Sequence, residues 1–463
     1  MKKVVCLICV FVLLSCGGIV TISAAVNQNK DTVTITETVQ YGDVSLADDF
    51  RVNLKMQYDD HLFWDTAYEK SGEGRTDTEF RFYAQEHASA YEYEKTPVSI
   101  HVSYETHHNL YTPVEELHGF ARAYREIYDR TEPGTEVCET VYVKEYYDYY
   151  PLMIRLELPD YNAWIQESWI QESSGAFQYE KELLDMFSEF FKIPVAEDEV
   201  IKVVIDRDES DGMMTQSIDS AFLHLYSESV VTDDGMCYFA LSHGTEDGGS
   251  MDCSMIPGGY GLYAFRFGKP GSYSGSGVDL DSLKMVHSLK EGMQILHFTV
   301  NKEQTKLLLF TEEERENFIY VIDRGTMELS QRVKLPEWGE IHEYDDFFVI
   351  KGELLTLFTV AEDGKYEQRF SIPVRQEDCP ALMKMDTGAS MDYDGKHLII
   401  ASWVFESEYA WMPNCDFSIT ICGPEGIAYY GIYENSLATN SEMMNYRENC
   451  VPFGSDAIVV KWN

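Results

Sequence analysis

The chain has 463 residues, 44% of them hydrophobic, 13% aromatic and 25% charged. That composition excludes a disordered chain and one buried wholly in a membrane, and the length exceeds what one ordinary core fills, so two domains are expected. With 36 Lys and Arg against 79 Asp and Glu, the formal charge is −43; such a field argues against nucleic acid and anionic lipid surfaces as partners and leaves divalent cations or basic partners open.

Lys2 and Lys3 are followed by residues 4–28, which carry no charge, and Val, Leu, Ile and Phe dominate residues 4–26. As a helix those 23 residues reach across a hydrocarbon core of roughly 30 Å, and the leading lysines place everything after Lys30 outside. Three fates fit: an uncleaved anchor over the whole run; a lipoprotein that reads Leu13-Leu14-Ser15-Cys16 as a lipobox and carries a diacylglyceryl group on Cys16; or cleavage after Ser23-Ala24-Ala25. Each makes residues 1–30 an anchor or signal segment and exports residues 31–463.

Residues 31–215 read as an α+β domain. Residues 32–39, 50–58 and 98–104 alternate as half-buried strands do. Thr112, Pro113 and Glu115 fit the N-cap, N1 and N3 places of a capping box, opening a helix whose apolar face is Leu117, Phe120, Ala121, Tyr124, Ile127 and Tyr128. Strands are expected over 137–147, 152–158 and 200–205, and a second helix from Tyr179 through Phe191. Between them Trp164-Ile165-Gln166-Glu167-Ser168 is repeated as Trp169-Ile170-Gln171-Glu172-Ser173. A five-residue step cannot put both tryptophans on one core face, so one is expected outside, either as a stacking platform or as part of a short duplication.

From residue 216 the pattern changes to short β runs with turn signals. Runs at 305–310, 352–358 and 396–402 begin 47 and then 44 residues apart, close to the ~40–50 residues of a propeller blade. Partner runs follow at 318–323 and 329–335, at 366–372, and at 417–422 and 427–433, and an earlier unit spans 236–241, 261–267 and 283–289. The apolar run 457–462, which abuts the C-terminus, or else a strand from the N-terminal domain, is expected to close the ring.

Two segments carry a resemblance: Met391-Asp392-Tyr393-Asp394-Gly395-Lys396-His397-Leu398-Ile399, and Asn317-Phe318-Ile319-Tyr320-Val321-Ile322-Asp323 with Thr326 beyond its turn; Thr232-Asp233-Asp234-Gly235 is a partial third. They resemble the propeller repeats of TolB-like and quinoprotein-like proteins over about half the chain, without that family's Ser-Pro before Asp-Gly. The resemblance implies four-stranded blades around a channel and carries over no active-site residue. In layout the chain resembles anchored propeller proteins of bacterial envelopes.

Motifs for chemistry are sparse. No HExxH, P-loop, GxSxG or paired CxxC occurs, and Gly258-Gly259-Tyr260-Gly261 lacks dinucleotide spacing. Asp206-Arg207-Asp208-Glu209-Ser210-Asp211-Gly212 has Asp211 where a calcium loop needs glycine and Ser217 where it needs glutamate, so a hairpin turn is expected. His101, His107, His108 and His118 lie near Glu115 and Glu116; on one helix Glu115 and His118 would share a face and could hold a metal. Tyr142, Tyr146, Tyr147, Tyr149 and Tyr150 suit either a glycan-binding face or strand cover. Of seven body cysteines, Cys237 with Cys253 and Cys415 with Cys422 are the near pairs, with buried free thiols the equal alternative.

The expectation is therefore a mainly β protein: a β-propeller-like domain (216–463) preceded by a smaller α+β domain (31–215) and a transmembrane or signal segment (1–30). It has no assignable catalytic residue, cofactor or metal site. Its expected role is extracytoplasmic binding, sensing or scaffolding toward an envelope protein or a glycan. An exported carbohydrate-active hydrolase, using carboxylates at the propeller mouth, is the alternative.

Overall fold

The computed structural model describes residues 11–21, 24, 30–58, 62–72, 74–82, 96–104, 112–158, 161–165, 177–209, 213–220, 223–243, 251–267, 277–375, 388–405, 415–436, 450–452 and 456–463. Residues 11–21 form a helix, α1, on which Phe11, Leu13, Leu14, Ile19 and Val20 are exposed. No helix among the described residues is long and apolar enough to cross a membrane; residues 4–10, 22–23 and 25–26 of the expected span lie outside the described residues. The chain forms two compact units, Met1–Glu94 with Glu337–Asn463, and Lys95–Pro336. The 215/216 division expected above falls inside the second of them.

The first unit begins with β1 (Ile35–Gly42), β2 (Asp49–Tyr58), β3 (Leu62–Ser71) and β4 (Arg75–Phe82). The second follows with β5 (Val98–Val102), α2 (Gly119–Arg130), β6 (Thr135–Tyr142), β7 (Leu152–Leu158), β8 (Tyr161–Ile165), α3 (Phe177–Phe190), β9 (Val200–Arg207) and β10 (Met213–Ser220). Three-stranded sheets β5-β7-β8 and β10-β9-β6 result, each with a helix against it: α3 meets β7 and β8, and α2 meets β9. In β7 Leu152, Ile154, Leu156 and Leu158 are buried and the residues between them half-buried, the two-residue period that made this strand legible. The chain then makes two four-stranded meanders, β11 (Leu225–Thr232) to β14 (Lys284–Ser288) through β12 (Met236–His243) and β13 (Gly261–Arg266), and β15 (Gln294–Val300) to β18 (Glu328–Lys334) through β16 (Lys306–Glu313) and β17 (Glu316–Asp323). Phe187 of α3 lies against the first meander, its ring 6.2 Å from Phe239 and 5.9 Å from Phe265.

The capping box is not used. Pro113 precedes a separate 3-10 turn, Val114–Glu116, and α2 begins only at Gly119. The cause lies far away in sequence: the Tyr147 hydroxyl accepts a hydrogen bond from Phe120 N at 3.1 Å and occupies the space a Cβ at position 119 would need. Gly119 sits at φ +54°, a conformation that costs other residues about 1–2 kcal/mol.

Back in the first unit, β19 (Glu340–Glu343), β20 (Phe347–Lys351), β21 (Leu354–Val360) and β22 (Tyr366–Pro373) form a third meander. A fourth, β23 (Ala389–Tyr393), β24 (Leu398–Trp403), β25 (Phe417–Gly423) and β26 (Gly426–Asn435), takes β1 as a fifth strand on β26. The last sheet joins the chain's two ends: β27 (Cys450–Pro452) and β28 (Ile458–Trp462) pair in succession along β2, which pairs β3, which pairs β4. The C-terminal run does not stand free: β28 pairs with β2, Phe50 opposite Trp462 and Leu54 opposite Ile458.

The sheet containing β24 is buried on both faces. Ile399, Ala401 and Trp403 pack with Phe50, Val52, Tyr68 and Val460, while Leu398 and Ile400 pack with Val349, Leu355 and Leu357. That is why β24 reads as a continuous apolar run rather than an alternation. Each such side chain contributes roughly 1.5–3 kcal/mol on burial, so sheets of this length are stable only in stacks. The 47- and 44-residue spacing does need correction. The matching second strands of the last three meanders are β16, β20 and β24, beginning 41 and then 51 residues apart, because the run at 352–358 is a third strand.

Candidate functional site

A pocket of about 840 Å³ opens in the first unit between two turns. One wall is the β19–β20 turn. There Tyr344 N donates to Phe347 O at 2.9 Å, and the Tyr344 and Phe347 rings stack 4.6 Å apart at 15°. Turning inward in this way, Tyr344 leaves Glu343, Asp345 and Asp346 exposed at the rim. Burial, and after it the charge of Asp392, push the Tyr344 phenol well above its usual range.

The opposite wall is the β23–β24 turn, and it coincides with the Asp392-Tyr393-Asp394-Gly395 segment that carried the resemblance. Asp394 Oδ1 accepts from Lys396 N at 2.7 Å and His397 N at 2.6 Å, an Asx turn, and Gly395 takes φ +95°. Tyr393 donates to Gly395 O at 2.8 Å and stands 6.3 Å from the Phe347 ring. Asp392 binds the C-terminal strand: Oδ2 accepts from Trp462 N at 2.8 Å and Oδ1 lies 3.3 Å from Lys461 Nζ. From β22, Arg369 completes the lining, its Nε donating to Thr359 Oγ1 at 2.5 Å. Five carboxylates, two bases and an aromatic wall thus meet, drawn from segments up to about 120 residues apart.

The other candidates are not brought together. Glu115 lies in the 3-10 turn and His118 is the residue before α2, so the two do not share a helix face; His118 and His101 are exposed. His107 and His108 lie outside the described residues. Among the described residues no group of three His, Cys, Asp or Glu could hold a metal. Asp206 and Arg207 end β9, which pairs β10 as a hairpin, as expected; residues 210–212 lie outside the described residues.

The tyrosine cluster divides. Tyr150 is buried and donates to Glu199, Tyr146 donates to Glu126 Oε2 at 3.2 Å, and Tyr147 packs on Phe120 and Tyr104, whereas Tyr142 and Tyr149 are exposed. Those rings build the α2 core and do not form one glycan face. Trp164 is exposed, with the Arg155 guanidinium 4.6 Å from its ring centre, and Trp169 lies outside the described residues. Neither cysteine pair is bonded: Cys237, Cys253, Cys415 and Cys422 are buried free thiols, Cys138 is an exposed one, and Cys16 is an exposed residue of α1. Burial raises the Cys253 thiol to about 11.

Sequence reasoning missed the β19–β20 half of the pocket. Its only signal was the polar break Glu343-Tyr344-Asp345-Asp346 ahead of the apolar run Phe347-Phe348-Val349-Ile350.

No family model matches the chain, and no curated protein matches it. Among solved structures it is similar to the β-propeller domain of Myceliophteria thermophila Cps50 (Swd1), at 10% identity over 51% of this chain and 80% of that one, TM-score 0.25. It is similar also to the β-propeller domain of the trilobed protease from Pyrococcus furiosus, at 12% identity over 51% and 65%, TM-score 0.24. A third is TolB from Acinetobacter baumannii, at 10% identity over 65% and 77%, TM-score 0.23. The fold described above rests on strand pairing alone.

Proposed function

We propose that this protein is an exported, membrane-held binding or sensing protein whose stacked meanders act as propeller-like blades and whose ligand enters the pocket between the β19–β20 and β23–β24 turns. The pocket carries the reading: it is a cavity with an aromatic wall and charged rim, set where two turns of adjacent sheets meet. Asp392 and Asp394, the two carboxylates of its inner wall, are engaged by backbone N–H groups and by Lys461. They hold turns and the C-terminal strand, which favours binding over the glycoside hydrolysis that needs two carboxyl groups facing a sugar bond. Export is supported by Lys2, Lys3 and the uncharged run after them, and anchoring by the exposed apolar side chains of α1.

A thermal-shift screen of the full-length protein against glycans and small metabolites tests the binding role. Stabilising compounds should lose their effect in Tyr393→Ala and should be recovered unchanged after long incubation. Release of a cleaved product would replace the binding reading with the hydrolase. Protease added outside intact cells should degrade residues 31–463; protection from it would remove the export reading.

A further inference from the structure

We propose that a ligand in this pocket fastens β28 to β23, so that binding and the closing of that seam drive one another; the proposal rests on the binding role above and names its regulation. Among the described strands β28 pairs only with β2, and β23 only with β24. Side chains join β28 to β23 instead. Ser390 Oγ accepts from Val460 N at 3.0 Å and Asp392 Oδ2 from Trp462 N at 2.8 Å, while Asp392 Oδ1 lies 3.3 Å from Lys461 Nζ. Residues two apart on one strand thus cap amides two apart on the other, the spacing that puts each pair on one side of its strand.

The second unit contains a seam of the same design, with one difference. Val98 N donates to Ser229 Oγ at 2.9 Å and Ile100 N to Ser227 Oγ at 3.0 Å, joining β5 to β11. Hydroxyls therefore suffice as caps at Ser227, Ser229 and Ser390. Asp392 alone of the four is a carboxylate, and it alone lines the cavity, together with Lys461 of β28. When β28 leaves, the cavity loses Lys461, and Asp392 loses its contacts with Lys461 and Trp462 N. The docked form thus offers a ligand a wall that the undocked form lacks, and a ligand shifts such an equilibrium by the difference in its affinity for the two states. The effect is reciprocal: whatever binding does for the seam, the seam does for binding.

Amide exchange of the full-length protein and of its Ser390→Ala variant tests this, with the small-molecule fraction of a cell-envelope extract as the probe. Ser390 lies outside the lining, so Ser390→Ala loosens the seam without touching the cavity. Without the probe it should speed exchange in residues 456–463 about tenfold, and no change would overturn the proposal. At a probe concentration that slows residues 343–351 and 389–398 about tenfold, residues 456–463 should slow by the same factor in both proteins, since an open seam and an open turn exclude the same ligand. The buried strand β25 should not slow. If the two turns slow and residues 456–463 do not, the coupling is wrong and the binding role stands. If β25 slows as much as β28, the ligand stabilises the whole unit and the coupling is overturned. If no segment slows, both fail.

Discussion

Replacing Lys70 with methionine should loosen the N-terminal strand β1 from the sheet that holds it. Lys70 of β3 meets the Glu37 carboxylate of β1, and the two side chains are only 9% and 14% exposed. The other Glu37 oxygen accepts from the Tyr429 hydroxyl at 2.6 Å, which lies 2.9 Å from the Tyr433 hydroxyl. Methionine keeps the length of the lysine stem and removes the charge, leaving a mostly buried carboxylate held by tyrosines alone. Breaking one side of a buried pair costs about 3–5 kcal/mol. At the lower figure the opening equilibrium of β1 rises on the order of 100-fold.

Amide exchange followed by mass spectrometry on a peptide covering Ile35–Gly42 reads that opening directly. Lys70→Met should accelerate it on the order of 100-fold, and Lys70→Met/Glu37→Leu should restore much of the protection by removing both charges. An acceleration below about threefold in the single variant would refute the reasoning. The same carboxylate fixes a pH dependence. Burial pushes the Glu37 pKa up from 4.5, but the hydrogen bond from Lys70, that from Tyr429 and the lysine's charge together outweigh it, so the folded value is lowered. A lowered carboxylate stabilises above its unfolded value and loses that contribution as pH falls through the folded one. β1 should therefore loosen below about pH 4.5 in the wild type, and the Glu37→Leu/Lys70→Met protein should lack that step.

Three further outcomes follow from the packing. Gly119→Ala should cost about 2 kcal/mol or more, from the positive φ and the clash with Tyr147, and an unchanged melting temperature would contradict the capping role given to that hydroxyl. Ending the chain before residue 458 should remove the buried Ile458 and Val460, about 3–6 kcal/mol of apolar burial, and bare the edge of β2; the truncated protein should collect in the insoluble fraction, and a soluble one with wild-type melting would contradict it. In native buffer Cys138 should react with a maleimide at once, and Cys237, Cys415 and Cys422 only after denaturant is added, which mass mapping of the labelled peptides would show.

What could be read in the sequence follows from how local each cause is. β7, β25 and β28 were legible because their own side chains carry the apolar pattern of buried strands. β3 and β4 were not predicted: Asp65, Glu69, Lys70, Arg75, Asp77, Glu79 and Arg81 interrupt the apolar residues with charges, and the partners of two of them, Arg81 for Asp65 and Glu37 of β1 for Lys70, lie on other strands. β20 merged with β21 in the spacing argument, since only Gly352 and Glu353 separate them. The start of α2 was placed too early because its cap comes from Tyr147, 27 residues beyond the amide it serves. The pocket was half legible: Asp392, Tyr393 and Asp394 stood out as a turn, but their meeting with Tyr344 and Lys461 depends on the packing of separate sheets.

The central claim is that the cavity between the β19–β20 and β23–β24 turns receives the ligand. Amide exchange of the full-length protein, measured with and without the small-molecule fraction of a cell-envelope extract, tests it most directly. Binding there should slow exchange in peptides covering residues 343–351 and 389–398 together and leave β16 and β17 unaffected; slowing elsewhere with none at these two turns would contradict it.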